Sequence, residues 1–95
     1  MMNEEEEPVI ISTNGTLDLH QFKPSDAKEL VREFLFECKK KGIRSGRIIH
    51  GKGIGTLREM VHSELRKNTM IQSFQLGDHN TGAWGATVFE MNPKR

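Results

Sequence analysis

The sequence predicts a two-layer α/β domain, and three observations carry that prediction. Short β-branched or alternating runs and longer one-sided apolar stripes follow one another in the order β-α-β-α-β-β. Strand, helix and strand in alternation imply parallel pairing through right-handed crossovers. The chain has ninety-five residues, which makes one small domain rather than two. The expected architecture is a four-stranded sheet with two helices on one face. The nine residues Gly77–Gly85 separate the last two strands, which suits an antiparallel pair.

Met1 to Gly15 reads as an acidic leader. Glu4–Glu7 are consecutive carboxylates without apolar periodicity, Val9-Ile10-Ile11 is a short edge segment, and Asn14-Gly15 signals a turn. The domain proper is expected over 16–91. Its first strand is Thr16-Leu17-Asp18-Leu19, with Leu17 and Leu19 alternating against Thr16 and Asp18, and it delivers His20. Pro24 suits the first position of a helix, and Asp26 places negative charge in its first turn. Ala27, Leu30, Val31, Phe34, Leu35 and Cys38 then form one apolar stripe, and Gly42 closes the helix. Cys38 lies on that stripe and reads as a core residue.

Ile43 to Ile49 is the second strand. The second helix is expected to open near Thr56, because Thr56 and Glu59 have capping-box spacing, and Leu57, Met60, Val61 and Leu65 give its apolar face. Met70 to Leu76 reads as a third strand with Met70, Phe74 and Leu76 on one face. A polar loop holding His79 and Trp84 follows, then Ala86 to Met91 as the last strand. Residues 92–95 form a basic tail.

Composition narrows the function classes. A chain 35% hydrophobic and 28% charged is that of a globular domain, and no apolar run approaches a membrane span. A lone cysteine has no internal partner and fits a reducing cytoplasm. Net charge is only +1, yet without Glu4–Glu7 the chain carries fourteen basic against nine acidic side chains. Such a field is compatible with nucleic acid without demanding it, since charge runs are usually solvated faces. The cysteine and HExxH spacings of zinc sites are absent, so no metal site is assigned from His20, His50 and His79.

The stretch that carries chemistry is His50-Gly51-Lys52-Gly53-Ile54-Gly55-Thr56-Leu57-Arg58. A strand, a glycine-rich turn and a helix start leave backbone N–H groups and the positive end of a helix dipole for an anion. Gly51, Gly53 and Gly55 allow close approach to a phosphate, and Lys52 and Arg58 add charge. A flexible connecting loop is the plain alternative. If the first two strands are parallel neighbours, Asp18 and His20 reach the same rim as His50. That set suits phosphodiester cleavage, with a histidine as general acid or base and Lys52 and loop N–H groups stabilising the transition state. Asp18 could orient an imidazole, ligate a divalent cation or merely bond backbone. Both histidines also have structural readings, and Trp84 suits either base stacking or a hydrophobic plug.

Leu17-Asp18-Leu19-His20, then His50 to Arg58, then Gly82-Ala83-Trp84-Gly85-Ala86-Thr87 resemble the LDLHG, HGKGxGxLR and GGxGAT motifs of the small MutS-related (Smr) domain family. The resemblance covers Leu17 to Met91 and identifies the chain as similar to stand-alone Smr proteins. It implies a mixed four-stranded sheet like that of the C-terminal domain of bacterial translation initiation factor 3. It also implies DNA or RNA binding, with nicking endonuclease activity in some members. Asp18, His20 and His50 fall on the acidic and histidine positions, and Gly51, Lys52 and Gly53 on the glycine-loop positions. Gln21 and Ala83 depart from the glycines of the family pattern.

The expected function is therefore a cytoplasmic nucleic-acid-binding domain that nicks the phosphodiester backbone. Its catalytic candidates are Asp18, His20 and His50; its phosphate- and nucleic-acid-binding candidates are Gly51, Lys52, Gly53, Gly55, Arg58 and Trp84. The cofactor is left open, with Mg2+ or Mn2+ as the cations that would suit a carboxylate. The alternatives are a non-catalytic DNA- or RNA-binding module using the same rim, and a protein-interaction domain with an inert rim.

Overall fold

The structure is a computed structural model that describes residues 15–51, 55–77 and 85–93. The expected leader with its Val9-Ile10-Ile11 segment, and the end of the basic tail, lie outside the described residues. Six elements follow in the predicted order: β1 (Thr16–Asp18), α1 (Pro24–Lys40), β2 (Ser45–Ile49), α2 (Thr56–Lys67), β3 (Ile71–Leu76) and β4 (Ala86–Met91). The sheet order is β1-β2-β4-β3, with β1 and β2 parallel and β4 antiparallel to both neighbours. The α2 crossover thus skips one place, and β4 fills it.

Local chemistry explains α1. Pro24 begins it after Lys23 in extended conformation, where a missing N–H costs no intrahelical bond. Asp26 sits in the first turn and Lys39 and Lys40 in the last, each opposing the local end of the helix dipole. At the other end Ile43 N–H donates to the Cys38 carbonyl (2.9 Å) and Gly42 N–H to that of Lys39 (3.2 Å). These are the paired bonds of a Schellman motif, with Gly42 at φ 74°. The motif consumes Ile43, which packs on the core, so β2 starts at Ser45 rather than at Ile43 as the sequence suggests.

The core lies between the helices and one face of the sheet. Leu17, Ile48, Phe89 and Met91 from the strands meet Ala27, Val31, Phe34, Leu35 and Cys38 of α1 and Val61 and Leu65 of α2. Each fully buried leucine or phenylalanine contributes about 1.5–3 kcal/mol. Phe34 meets Phe89 edge to face, with ring centroids 6.0 Å apart. Gly46 lies opposite Phe89, and a methyl group there would overlap its ring. Cys38 is a core residue as predicted, its thiol pushed up to about 11, mainly by burial. Between the helices the nearly buried Glu64 takes Arg32 Nε at 2.9 Å and a second guanidinium nitrogen at 3.3 Å, with Lys67 Nζ also at 3.3 Å.

Two further local expectations are corrected. The capping box at Thr56 and Glu59 does not form. Gly55 occupies the N-cap position at φ 93°, and Thr56 is already helical. Its hydroxyl is therefore one position too late to cap the third helical N–H, and Glu59 N–H bonds the Gly55 carbonyl instead (2.9 Å). In β3, a bulge between Ile71 and Ser73 places Ile71 opposite Met91 while Phe74 stays opposite Phe89. The extra residue shifts the alternation, so Ile71 rather than Met70 joins the row of Phe74 and Leu76. Leu76, at the end of this edge strand, is 38% exposed. Among the described residues no helix is long and apolar enough to cross a membrane.

Candidate functional site

The parallel pairing of β1 and β2 sets Asp18 beside Ile49, so both strands end on one rim. Leu19 N–H extends the pairing by donating to the Ile49 carbonyl (2.7 Å). Side chains alternate across a strand, and that alternation sorts the candidate residues. Leu17 and Leu19 point into the core, so Asp18 and His20 share the open side. Ile48 points inward, and His50, two residues on, does the same.

Asp18 and His20 form an exposed pair. His20 Nδ1 lies 2.5 Å from Asp18 Oδ1, and the His20 backbone N–H donates to the same oxygen at 3.1 Å. A carboxylate accepts, so Nδ1 carries the proton and Nε2 is left to face outward. The hydrogen bond from His20 holds the Asp18 carboxyl below its ordinary value, which keeps it charged at neutral pH. Both side chains are about half exposed, at 50% for His20 and 52% for Asp18.

His50 is organised differently. It is 4% exposed, and both ring nitrogens are engaged. Nδ1 faces the Gly51 carbonyl at 3.1 Å and Nε2 faces the Thr87 hydroxyl at 2.8 Å. His62 Nε2 reaches the same hydroxyl at 2.7 Å. These partners fix a direction. The Gly51 carbonyl accepts, so His50 Nδ1 donates; a neutral His50 then accepts at Nε2 from Thr87, which in turn accepts from His62 Nε2–H. Burial lowers the pKa of both imidazoles, and Arg58 opposes their protonation as well. The result is a neutral, directional chain of hydrogen bonds beneath the rim.

That chain steadies the entry to the glycine loop. His50 N–H and Gly51 N–H both donate to the Gly85 carbonyl at 2.8 Å, tying β2 to the approach of β4. Gly51 has φ 87° and Gly55 has φ 93°, a region that side-chain-bearing residues rarely adopt. Gly55 leads directly into α2, whose first turn carries Arg58. A hollow of about 290 Å³ at this helix start is lined by Phe22, Pro24, His50, Gly51, Gly55, Thr56, Leu57 and Arg58. Lys52, Gly53, His79 and Trp84 lie outside the described residues. Among the described residues no three His, Cys, Asp or Glu side chains gather into a metal-binding group. A hard cation beside Asp18 would need phosphate oxygens and water to complete its shell, as magnesium sites commonly do.

With this geometry in view, comparison with known proteins is decisive. The Smr domain family model matches residues 17–92. The chain belongs to the Smr domain family. Endonuclease MutS2 of Brevibacillus brevis is 39% identical over 75 residues, covering 79% of this chain and 10% of that protein. The counterpart from Thermotoga neapolitana is 36% identical over 82 residues, covering 86% and 11%. The chain therefore spans about a tenth of the length of these curated relatives. The crystal structure of the Smr domain of Thermus thermophilus MutS2 superposes with a TM-score of 0.78 at 31% identity, covering 82% of this chain and 98% of that one. YdaL, a stand-alone small MutS-related protein from Escherichia coli, shares the fold with a TM-score of 0.72 at 22% identity, covering 84% and 66%.

Sequence reasoning missed two members of this Smr domain's site, Thr87 and His62. A signal for Thr87 was present. Phe89 and Met91 set the inward register of β4, so Thr87 must also point inward, and a buried hydroxyl needs partners. His62 left no such mark. It borders the apolar face of α2 rather than lying on it, and only packing brings it to 5.0 Å from the Phe74 ring, centroid to centroid.

Proposed function

We propose that this Smr domain binds nucleic acid across the rim and hydrolyses its phosphodiester backbone at the Asp18–His20 pair. The observation that carries the reading is that pair: an exposed imidazole with Nδ1 tied to a carboxylate and Nε2 facing outward. Asp18 fixes the tautomer and stabilises the imidazolium that forms when Nε2 takes a proton. The proton comes from an attacking water or, in RNA, from a neighbouring 2′-hydroxyl. The leaving oxygen departs on the opposite side of phosphorus and takes its proton from water, while Nε2 returns its own to solvent; attack by a 2′-hydroxyl gives a 2′,3′-cyclic phosphate that water then opens. The MutS2 relatives are named as endonucleases, and their similarity supports extending phosphodiester cleavage to this chain.

In this reading Gly51, Lys52, Gly53, Gly55, Arg58 and Trp84 serve binding: the loop and helix start hold phosphate, and Trp84 stacks on a base. His50 has a narrower role than the sequence suggests. With both nitrogens engaged below the rim, it holds the Gly51 carbonyl and orients the loop, while His20 does the proton transfer. A cytoplasmic setting accords with the lone thiol of Cys38.

The test is a cleavage assay on supercoiled plasmid and on a structured RNA, with magnesium, with manganese and with chelator. Wild type converts the substrate, and folded His20→Ala and Asp18→Asn proteins lose conversion. If the wild type cleaves under no condition yet binds in a salt-dependent way, the rim is a binding module and the catalytic assignment fails.

A further inference from the structure

The exposed pair borders a second hollow, which shares only Gly51 with the hollow at the α2 start. On the sheet face away from the helices, Asp18 pairs with Ile49 and Ile49 with Ala86, so these three stand in one row across β1, β2 and β4. The hollow has a volume of about 450 Å³ and is lined by Asp18, His20, Arg47, Ile49, Gly51, Gly85 and Ala86. Its floor is aliphatic, its sides are backbone at two glycines, Arg47 belongs to the next row, and the acid–base pair stands at its mouth. A carbon placed on Gly51 would lie 3.5 Å from His20 Cβ. Gly51 also lines the hollow at the α2 start. His20 and Gly51 therefore form a ridge between two unlike hollows, one at a helix N-terminus with Arg58 and one apolar.

We infer that the apolar hollow is a nucleobase subsite, so that the domain acts on a nucleotide that is unpaired. The inference rests on the proposed cleavage reading for what sits on the ridge. A phosphodiester within reach of His20 Nε2 has neighbouring phosphates on the Arg58 side, where N–H groups and positive charge suit them. Its adjoining base falls on the other side, over the partly exposed Ile49. A flat apolar ring with polar edges matches an aliphatic floor bounded by an arginine and backbone groups. A base inside a duplex cannot reach this floor without leaving its stack, so single-stranded or locally opened nucleic acid is favoured. A larger hollow of about 520 Å³ farther along the same face is bordered by Ser45, Ser73, Gln75 and Glu90. It lacks the acid–base pair.

The experiment is equilibrium binding, by fluorescence anisotropy, of a short labelled oligonucleotide either single-stranded or annealed to its complement, in DNA and in RNA form. Wild type should favour the single strand about tenfold, the scale of one stacked base. Ile49→Ser should lose about that factor on the single strand while leaving duplex affinity and the salt slope unchanged, and Ile49→Val should retain it. Scanning one abasic nucleotide along the strand with wild-type protein should show a single position with a loss of similar size, absent in Ile49→Ser. Equal affinity for single strand and duplex, or an abasic scan without a sensitive position, overturns the inference. So does an Ile49→Ser protein that binds normally but melts well below wild type, which would assign the hollow to packing by another part of the chain. Base-dependent binding without cleavage removes the nuclease reading and leaves the subsite standing. Cleavage indifferent to abasic position does the reverse, and no binding at low salt removes both.

Discussion

Asp18–His20 and His50–Thr87–His62 are two histidine arrangements that meet at one rim and differ in every property relevant to chemistry. The first is half exposed, has a charged partner and turns a nitrogen outward. The second includes the nearly buried His50, is held neutral by desolvation, and closes its hydrogen bonds on a hydroxyl and a backbone carbonyl. A histidine in a motif is thus not enough to name a catalyst. What distinguishes the two is which side of the sheet each faces, and that decides solvent access and free valence together.

The largest expected effect separates them by activity. In the nicking assay, His20→Ala should cost about 10²–10⁴-fold in rate, the usual contribution of a general acid or base. Its melting temperature should stay near wild type, because the side chain is half exposed. A similar loss of rate on Thr87→Val without loss of His20 dependence would mean that the buried chain also takes part in proton transfer.

Thr87→Val should produce the opposite signature. The swap keeps the shape of a fully buried side chain but leaves two imidazole nitrogens without their shared partner. Chemical denaturation should show a loss of about 1–3 kcal/mol, with cleavage reduced no more than loop disorder requires. A stability unchanged from wild type would mean that water replaces the hydroxyl.

Acid should then resolve the two arrangements in sequence. His50 and His62 have folded pKa values depressed below 6.5, so the unfolded chain binds more protons between the folded and unfolded values. Stability is complete above about pH 6.5 and falls as pH drops through that value toward the lower folded ones. Asp18 and Glu64 have folded values depressed below 3.8 and 4.5. Their contribution is present above those values and is lost only in a second, more acid window. Melting temperatures followed from pH 8 to pH 3 should show both phases. His62→Gln should flatten the first and spare the second.

The smallest effect is expected for Asp18→Asn on stability. Surface substitutions usually fall within about 0.5 kcal/mol, and urea denaturation should find no more than that. A larger loss would make the Asp18 carboxylate a structural cap for the turn after β1, and its orienting role would lose its independent support.

Much of this was legible in the chain. The α1 stripe, Pro24 at its start, Gly42 at its end and the β-α-β-α-β-β order depend on neighbours within a few residues, and local sequence encodes such relations directly. The arrival of Asp18 and His20 on the same rim as Gly51 followed from parallel pairing of consecutive strands. The Thr56 capping box failed because the preceding glycine, at a positive φ, took the cap position. The β3 face failed because one extra residue in a bulge reverses an alternation that sequence reading assumes unbroken.

By itself, the sequence determined the elements, their order and the motifs that place the chain in its family, because periodicity, turn chemistry and motif spacing are properties of short stretches. Tertiary structure decided the roles. Thr87 and His62 are 25 residues apart and reach His50 only when β4 enters the sheet between β2 and β3 and α2 packs above it. Burial, tautomer and pKa follow from that packing, so the division between an exposed histidine paired with a carboxylate and a buried one bonded to a hydroxyl exists only in the folded chain.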